Sequence, residues 1–184
     1  RAKLVSEKYL DDALALIEEH GTNDPYEILE NLGVVVIPIH IGAAFLGMFR
    51  ILDGVSYVIY NTHADEIVIR EVLAHELGHF LYHKEYASEA ELADFGLTQE
   101  SSIIEAQANT FAAHLLIDEE ELLDTMEEGM SYMELAQRLM VDENLLLYKL
   151  KSMKKRGLKI NLSEAPRSQF FQNLAEQAKK YDIN

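Results

Sequence analysis

The sequence predicts an α+β fold in which helices dominate and a small sheet of about three strands precedes most of them. Residues 34–60 hold three short runs rich in β-branched and aromatic side chains, whereas apolar residues recur at helical spacing in most of the chain after residue 65. A length of 184 residues with 48% hydrophobic residues suits one catalytic-size domain with a buried core.

Two helices are expected before the sheet. Residues 4–20 repeat apolar side chains at helical spacing and stop at Gly21, a residue typical of a helix C-terminus. A short second helix is predicted to begin at Pro25, because proline is favoured in the first helical turn, and to run to about Leu32.

Three strands are predicted at 34–39, 45–52 and 55–60. Pro38 favours an edge or terminal position for the first strand, since proline cannot donate a hydrogen bond to a neighbouring strand. Asp53-Gly54 favours a tight hairpin turn between the other two. We expect the strand at 55–60 to present a sheet edge, either an ordinary one or one to which a substrate chain adds.

The rest of the chain is predicted to be mainly helical, with a mixed polar connection at 84–100. The expected helices cover 65–83, 101–117, 118–128, a segment starting at Ser131, 142–156 and 166–180. We divide the chain into a core at 1–130 and a C-terminal helical extension at 131–184, which is expected to pack on that core.

Charge and composition exclude several classes of protein. The 32 acidic residues outnumber the 16 Lys and Arg, giving a net charge of −16, so we expect no direct binding of nucleic acid. The absence of cysteine excludes disulfides, thiolate catalysis and Cys-ligated zinc. No apolar run is long enough to span a membrane, and the chain starts without an apolar signal-peptide region, so we expect a cytoplasmic location.

The C-terminal extension has helix-turn-helix spacing and a cluster of basic residues. Residues 135–141 and 142–150 have the spacing of such a pair of helices, but the leucines of the second segment are typical of packing. We therefore favour a structural or repressor-docking role over DNA contact. The basic cluster consists of Lys149, Lys151, Lys154, Lys155 and Arg156.

The most informative motif is His75-Glu76-Leu77-Gly78-His79. On a helix, residues four apart lie on the same face, so both imidazoles can reach one metal ion. Glu76 is rotated away from this pair and is instead placed to act as general base on a water that the metal activates. Gly78 would allow another backbone or a substrate to approach closely.

A third metal ligand is predicted on the following long helix. A catalytic zinc site needs three protein ligands, and Glu105 can face the histidine pair if the two helices are antiparallel. Asn109, one turn further along, can accept the outer N–H of a ligand imidazole and so fix its tautomer. His75, His79 and Glu105 are therefore the predicted ligands.

The sequence resembles the ImmA/IrrE metallopeptidases of bacteria, phages and mobile elements. The resemblance is strongest in His75-Glu-Leu-Gly-His-Phe-Leu-Tyr-His83 and in the segment that begins Glu105-Ala-Gln-Ala-Asn-Thr-Phe-Ala-Ala-His. It extends from about Val34 to Ile117 and includes Ile59-Tyr60-Asn61.

The resemblance implies a zincin-like fold and a gluzincin-type zinc peptidase. His75, His79 and Glu105 would bind zinc, Glu76 would be catalytic, and Asn109 would take a place where related enzymes carry an Asp. The implied substrates are helix-turn-helix repressors, so the expected partner is a DNA-binding protein that the peptidase cleaves.

Several alternatives stay open at this point. The chain could be a non-catalytic, metal-containing regulatory module that sequesters a repressor or toxin-system partner, or, less favoured, a general peptidase of small peptides. His and carboxylate ligands also suit manganese or iron. His83 could extend the polar face towards substrate or simply end its helix. The oligomeric state is open, and the candidates for stabilising the oxyanion are Tyr60, Tyr82 and His114.

Overall fold

The computed structural model describes residues 7–42, 44–87 and 99–160. This described part confirms the α+β prediction, because it contains eight helices and one small three-stranded sheet. The predicted helix at 166–180 lies outside the described residues. The elements are α1 (Lys8–His20), α2 (Pro25–Asn31), β1 (Val35–Ile39), β2 (Gly47–Leu52), β3 (Val55–Asn61), α3 (Glu66–Tyr82), α4 (Lys84–Ala87), α5 (Gln99–Leu116), α6 (Glu119–Thr125), α7 (Tyr132–Leu139) and α8 (Glu143–Lys155).

Several helix ends follow from local capping residues. Gly21 ends α1 in the left-handed region with φ of 68°, as its position in the sequence predicts. The Asp24 side chain accepts the backbone N–H of Tyr26 at the start of α2. At the start of α7, Ser131 and Glu134 form the predicted capping box, in which each side chain bonds to the other residue's backbone N–H.

The polar connection predicted at 84–100 is partly helical. It contains the short helix α4 (Lys84–Ala87), and α5 already begins at Gln99. Residues 88–98 lie outside the described part. Within the described ranges, no helix combines the length and apolar character that crossing a lipid bilayer requires.

The sheet has the order β1-β3-β2, with β1 parallel and β2 antiparallel to β3. Pro38 therefore lies on an edge strand, as predicted. The turn between β2 and β3 has positive φ at both Asp53 (51°) and Gly54 (77°), the geometry of a type I′ hairpin. The expectation that the strand at 55–60 presents an edge is wrong, because β3 pairs with β1 on one side and β2 on the other.

α3 occupies the centre of the molecule and connects its layers. It packs against β2, β3 and α2, and also against α5, which in turn contacts α1 and α8. Leu77 of α3 and Phe111 of α5 are completely buried in the common core, together with Val58 of β3 and Leu146 of α8. The second half of α3 is therefore held in place from several directions.

α3 and α5 approach each other closely at Gly78. A Cβ atom on this residue would lie 3.1 Å from the Cα of Ala108, 3.2 Å from its carbonyl oxygen and 3.3 Å from Cδ1 of Phe111. All three separations are shorter than an ordinary van der Waals contact. Glycine thus allows the close approach that the sequence suggested at this position.

Candidate metal centre

The structure brings together the three residues predicted as metal ligands. Nε2 of His75 lies 2.9 Å from Nε2 of His79, since residues four apart share one face of α3. The two oxygens of Glu105, on α5, lie 3.1 Å from these two nitrogens, one oxygen on each. Of the described residues, only His75, His79 and Glu105 form a group that could hold a metal ion.

This donor set fits a divalent cation. Two imidazole nitrogens and one carboxylate are ligands that zinc commonly takes, and a tetrahedral ion with bonds of about 2.0–2.1 Å needs donor atoms roughly 3.3 Å apart. The separations of 2.9 and 3.1 Å are close to that value. The His75 ring is buried, while Glu105 is 38% exposed, so the group is open on one side.

The outer nitrogen of His75 has a partner on α5. Its Nδ1 lies 2.7 Å from Oδ1 of Asn109, which is the contact with a ligand imidazole that the sequence suggested for this asparagine. The Asn109 side chain also hydrogen-bonds to Tyr148, a buried residue of α8. A helix from the predicted C-terminal extension therefore supports the environment of His75.

The outer nitrogen of His79 has a different partner. Its Nδ1 lies 3.0 Å from Nδ1 of His83, and Nε2 of His83 lies 2.9 Å from Oε1 of Gln107. The sequence singled out His83 by its place one turn after His79, as a residue that extends the polar face or ends its helix, and in the structure it is the residue that directly follows α3. Gln107 gives no such signal, because only the packing of α5 against α3 brings it to His83.

Glu76 lies in α3 beside the donor group and is only 6% exposed. Burial raises the pKa of its carboxyl to about 7, while His79 lowers the pKa and Glu105 raises it further. The backbone N–H of Phe49 in β2 donates to this carboxyl. β2 thus passes over the part of α3 that carries the motif.

Gly47 fixes how closely β2 crosses α3. A Cβ atom at this residue would lie 2.5 Å from Cγ1 of Val72 and 3.9 Å from Cγ of Glu76. β2 is paired on only one side among the described residues, since β3 is its neighbour in the sheet. Its other edge is therefore the sheet edge near Glu76.

Two of the three oxyanion candidates are engaged elsewhere. The Tyr82 hydroxyl donates to Asp12 at 2.6 Å, which directs it towards α1. His114 is buried, with Nε2 near Glu7 and Ser152 and Nδ1 near Lys149. The structure thus gives neither group a contact with the metal-ligand candidates.

The basic cluster of the C-terminal extension divides into buried and exposed residues. Lys149 is completely buried, and its Nζ lies 3.3 Å from Glu119 and 2.9 Å from Nδ1 of His114. Arg156 is also buried and forms an ion pair with the same glutamate. Two of the five basic residues are therefore used inside the protein. The exposed members are Lys151, Lys154 and Lys155.

Glu71, one turn before His75, connects α3 to the start of α8. It is 1% exposed, and its Oε1 accepts the backbone N–H of Asp142 at 2.6 Å. Burial raises the pKa of this carboxyl to about 8, partly offset by the N–H of Asp142. Oε2 is buried without a hydrogen-bond partner among the described residues, so nothing at this oxygen offsets the cost of burying a charge there.

A cleft of about 520 Å³ opens beside His83. Its walls combine aromatic and aliphatic side chains with a few polar ones, which is typical of sites that accept a side chain of a ligand. The lining residues are Tyr82, His83, Glu85, Tyr86, Ile103, Ile104 and Gln107.

The fold and the site define a metallopeptidase-like protein. A helix carries a His-Glu-x-x-His motif, a second helix presents a carboxylate to the histidines, and a buried glutamate lies beside them. The family model of the IrrE N-terminal-like domain, Peptidase_M78, matches residues 29–151, which is more than half of the chain. The chain belongs to this peptidase family, whose members are generally metal-dependent.

One relative comes from a bacterial virus. The "Uncharacterized immunity region protein 2" of Bacillus phage phi105 is 27% identical over 107 residues. The match covers 55% of the chain and 63% of that relative, so the chain spans less than two thirds of the relative's length.

Proposed function

We propose that the protein is a zinc-dependent endopeptidase in which His75, His79 and Glu105 bind the metal and Glu76 is catalytic. The observation that carries this proposal is the convergence of three donor atoms within 4.8 Å of one another beside a buried carboxyl group. Membership of a peptidase family supports the same conclusion. The ligand set suits zinc, which binds two imidazoles and one carboxylate in many peptidases.

Zinc bound to these residues would supply a Lewis acid that polarises the scissile carbonyl and makes water a stronger acid. Glu76 accepts the proton of the attacking water and later returns it to the leaving amine. A carboxyl group with a pKa of about 7 suits both steps, because a general acid–base group works best when its pKa is near the working pH. The N–H of Phe49 holds the Glu76 carboxylate in place.

The proposed substrate is a helix-turn-helix repressor. The likeness to a phage immunity region protein is compatible with such a substrate, and the sequence resembles peptidases that act on repressors. The outer edge of β2, which pairs with no other strand among the described residues, runs past Glu76, so we propose that the substrate chain lies along this edge in an extended conformation. A cytoplasmic location is part of the proposal, because the substrate is a DNA-binding protein.

We propose that residues 131–184 are an extension of the peptidase core, of which the described part, 131–160, contains the helices α7 and α8. α8 packs against α5, and Tyr148 contacts Asn109 next to the metal-ligand candidates. The exposed Lys151, Lys154 and Lys155 then offer a surface on which a repressor can dock. Lys149 and Arg156 stabilise the extension from inside through Glu119.

The first experiment measures metal content by elemental analysis of protein purified without chelator. We expect about one zinc per chain, and loss of this zinc in His75→Ala. Absence of metal in the wild-type protein, with none taken up when zinc is added at neutral pH, would refute the metal centre.

The second experiment tests catalysis. Candidate repressors are incubated with the zinc-loaded wild-type protein and with Glu76→Gln, and the products are analysed by mass spectrometry. We expect cleavage only by the wild-type protein, with zinc and repressor bound equally by both. Relief of repression that persists in Glu76→Gln would mean that the protein sequesters its partner without cutting it.

A further inference from the structure

Two side-chain contacts connect α5 to the candidate ligand His79. One joins two imidazole rings, and the other joins an imidazole ring to an amide group. Nδ1 of His79 lies 3.0 Å from Nδ1 of His83, and Nε2 of His83 lies 2.9 Å from Oε1 of Gln107. His83 is only 4% exposed, and its backbone N–H donates to the carbonyl of His79 at 2.9 Å. The imidazole of His83 therefore lies between the other two side chains with little of its surface exposed.

The positions of the protons in this chain of contacts follow from the donor and acceptor inventory. The amide oxygen of Gln107 can only accept, so the N–H of a neutral His83 ring is on Nε2. Nδ1 of His83 then has a lone pair and accepts, which means that Nδ1 of His79 carries a hydrogen. A neutral His79 has one ring N–H, so its Nε2 keeps a free lone pair.

We propose that Gln107 is a positioning residue that acts through His83 to fix the tautomer of His79 in which Nε2 can bind the metal. The inference rests on the proposed metal centre and adds to it the origin of one ligand's tautomer. Nε2 of His79 is the atom that lies near Nε2 of His75 and the Glu105 carboxylate. The wrong tautomer would place a hydrogen in that space.

The other candidate ligand has an equivalent arrangement. Nδ1 of His75 lies 2.7 Å from the amide oxygen of Asn109, so a single amide fixes its tautomer directly. Gln107 is two residues before Asn109 on α5 and must reach a histidine near the C-terminal end of α3. His83 bridges the remaining distance. Both tautomers are therefore set by amide groups of the same helix.

The test uses the full chain with Gln107→Met, which keeps the length of the side chain but removes the amide oxygen. Zinc affinity is measured by competition with a chromogenic chelator. We expect a roughly 10–100-fold loss, the usual effect of removing a partner of a metal-bound histidine. Gln137→Met, on an exposed face of α7, is the matched control and should leave the affinity unchanged.

A second variant separates positioning from general damage to the fold. In His83→Gln, the new amide oxygen can accept directly from Nδ1 of His79, so zinc affinity should stay within about threefold of the wild type, whereas His83→Leu should lose about as much as Gln107→Met. Equal losses in His83→Gln and His83→Leu would overturn the proposal.

A spectroscopic measurement identifies the histidine tautomers directly and requires neither bound metal nor an assay of activity. Nitrogen-15 shifts of the histidine rings in metal-free protein at neutral pH should show His79 protonated on Nδ1 and His83 on Nε2, with both assignments becoming mixed in Gln107→Met. His79 protonated on Nε2, or unchanged tautomers and zinc affinity in Gln107→Met, would overturn the role of Gln107. Failure of the wild-type protein to bind zinc would instead refute the proposed function.

Discussion

Replacing Gly78 by alanine tests whether the close contact between α3 and α5 holds the three donor atoms together. The new Cβ would lie 3.1 Å from the Cα and 3.2 Å from the carbonyl oxygen of Ala108. Because both atoms belong to the backbone, no side-chain rotation relieves the contact. α5 must therefore move away from α3 by a few tenths of an ångström, and Glu105 moves with it.

Two opposing effects determine the change in stability. Overpacking costs about 1–3 kcal/mol, whereas alanine improves helix propensity over glycine by about 1 kcal/mol. The net loss in the free energy of unfolding is then roughly 0–2 kcal/mol, and each kcal/mol corresponds to about 2–4 °C in melting temperature for a chain of this size. The change in the free energy of unfolding of Gly78→Ala is therefore expected to be small.

Metal affinity gives the larger signal. Metal–ligand distances are defined to about 0.2 Å, so a shift of Glu105 by a few tenths of an ångström weakens the site. We expect zinc affinity to fall roughly tenfold, at the lower end of the effect of changes around metal ligands. Isothermal titration or chelator competition measures this fall in protein that calorimetry shows to be folded.

The matched control is Gly42→Ala, because a Cβ at Gly42 meets no atom within 4 Å and its φ is not in the left-handed region. This variant should bind zinc like the wild type. If Gly78→Ala binds zinc within twofold of the wild type and melts at a higher temperature, the contact at Ala108 does not set the geometry of the site and the reasoning is refuted.

Three further predictions concern stability. Burial raises the pKa of Glu71 to about 8, above its ordinary 4.5, so the stability that this group gives the wild type is present at low pH and is lost as pH rises from 4.5 through about 8. Relative to the wild type, Glu71→Gln should therefore gain roughly 4 kcal/mol in the free energy of unfolding between pH 5 and pH 9. Glu119→Gln removes the carboxylate beside the buried Lys149 and should lower the free energy of unfolding by about 3 kcal/mol in urea titrations. Removing the metal with a chelator should lower the melting temperature of the wild type but not of His75→Ala, because a ligand at about 100 times its Kd stabilises the folded state by about 2.7 kcal/mol.

Each of these predictions has a control in the same chain. Glu66→Gln, on the exposed first turn of α3, should show no added stability at pH 9. Glu120→Gln, the exposed neighbour of Glu119, should change the free energy of unfolding by less than about 0.5 kcal/mol. If Glu66→Gln behaves like Glu71→Gln, or Glu120→Gln like Glu119→Gln, the burial of Glu71 or the ion pair of Glu119 is not the cause of the change in stability. Re-addition of zinc should restore the melting temperature after chelation, and failure to do so would count against a reversible metal site.

Local signals in the sequence predicted the helices well. The helix predicted at 65–83 is α3 (Glu66–Tyr82), because the preference of a run of residues for helix depends only on neighbours within one or two turns. Pro38 was placed correctly on an edge strand for a similar reason, since its missing N–H is a property of the residue itself. The neighbours of each strand do not follow from such signals, and the position of β3 was predicted wrongly.

The predicted ligands came from two kinds of reasoning. His75 and His79 share a helix face by their spacing alone, whereas the position of Glu105 required an assumption about how two helices pack. The structure brings the three side chains together, and their function as zinc ligands stays a prediction. His83 and Gln107 could not be paired from the sequence, because their contact joins residues 24 positions apart across the α3–α5 interface.

The sequence by itself therefore determined the longer helices of the described part, the hairpin turn, the His-Glu-x-x-His motif and the family resemblance. Hydrogen bonding and steric effects within four or five residues are enough to encode the helices and the turn, and the spacing of the two histidines within one helical turn places them on the same face. Only the tertiary structure decided that β3 is the central strand, that Lys149 lies buried beside Glu119, and that Gln107 reaches His83. These contacts depend on how whole elements pack, and close packing at points such as Gly78 is a property of two surfaces that meet only in the folded chain.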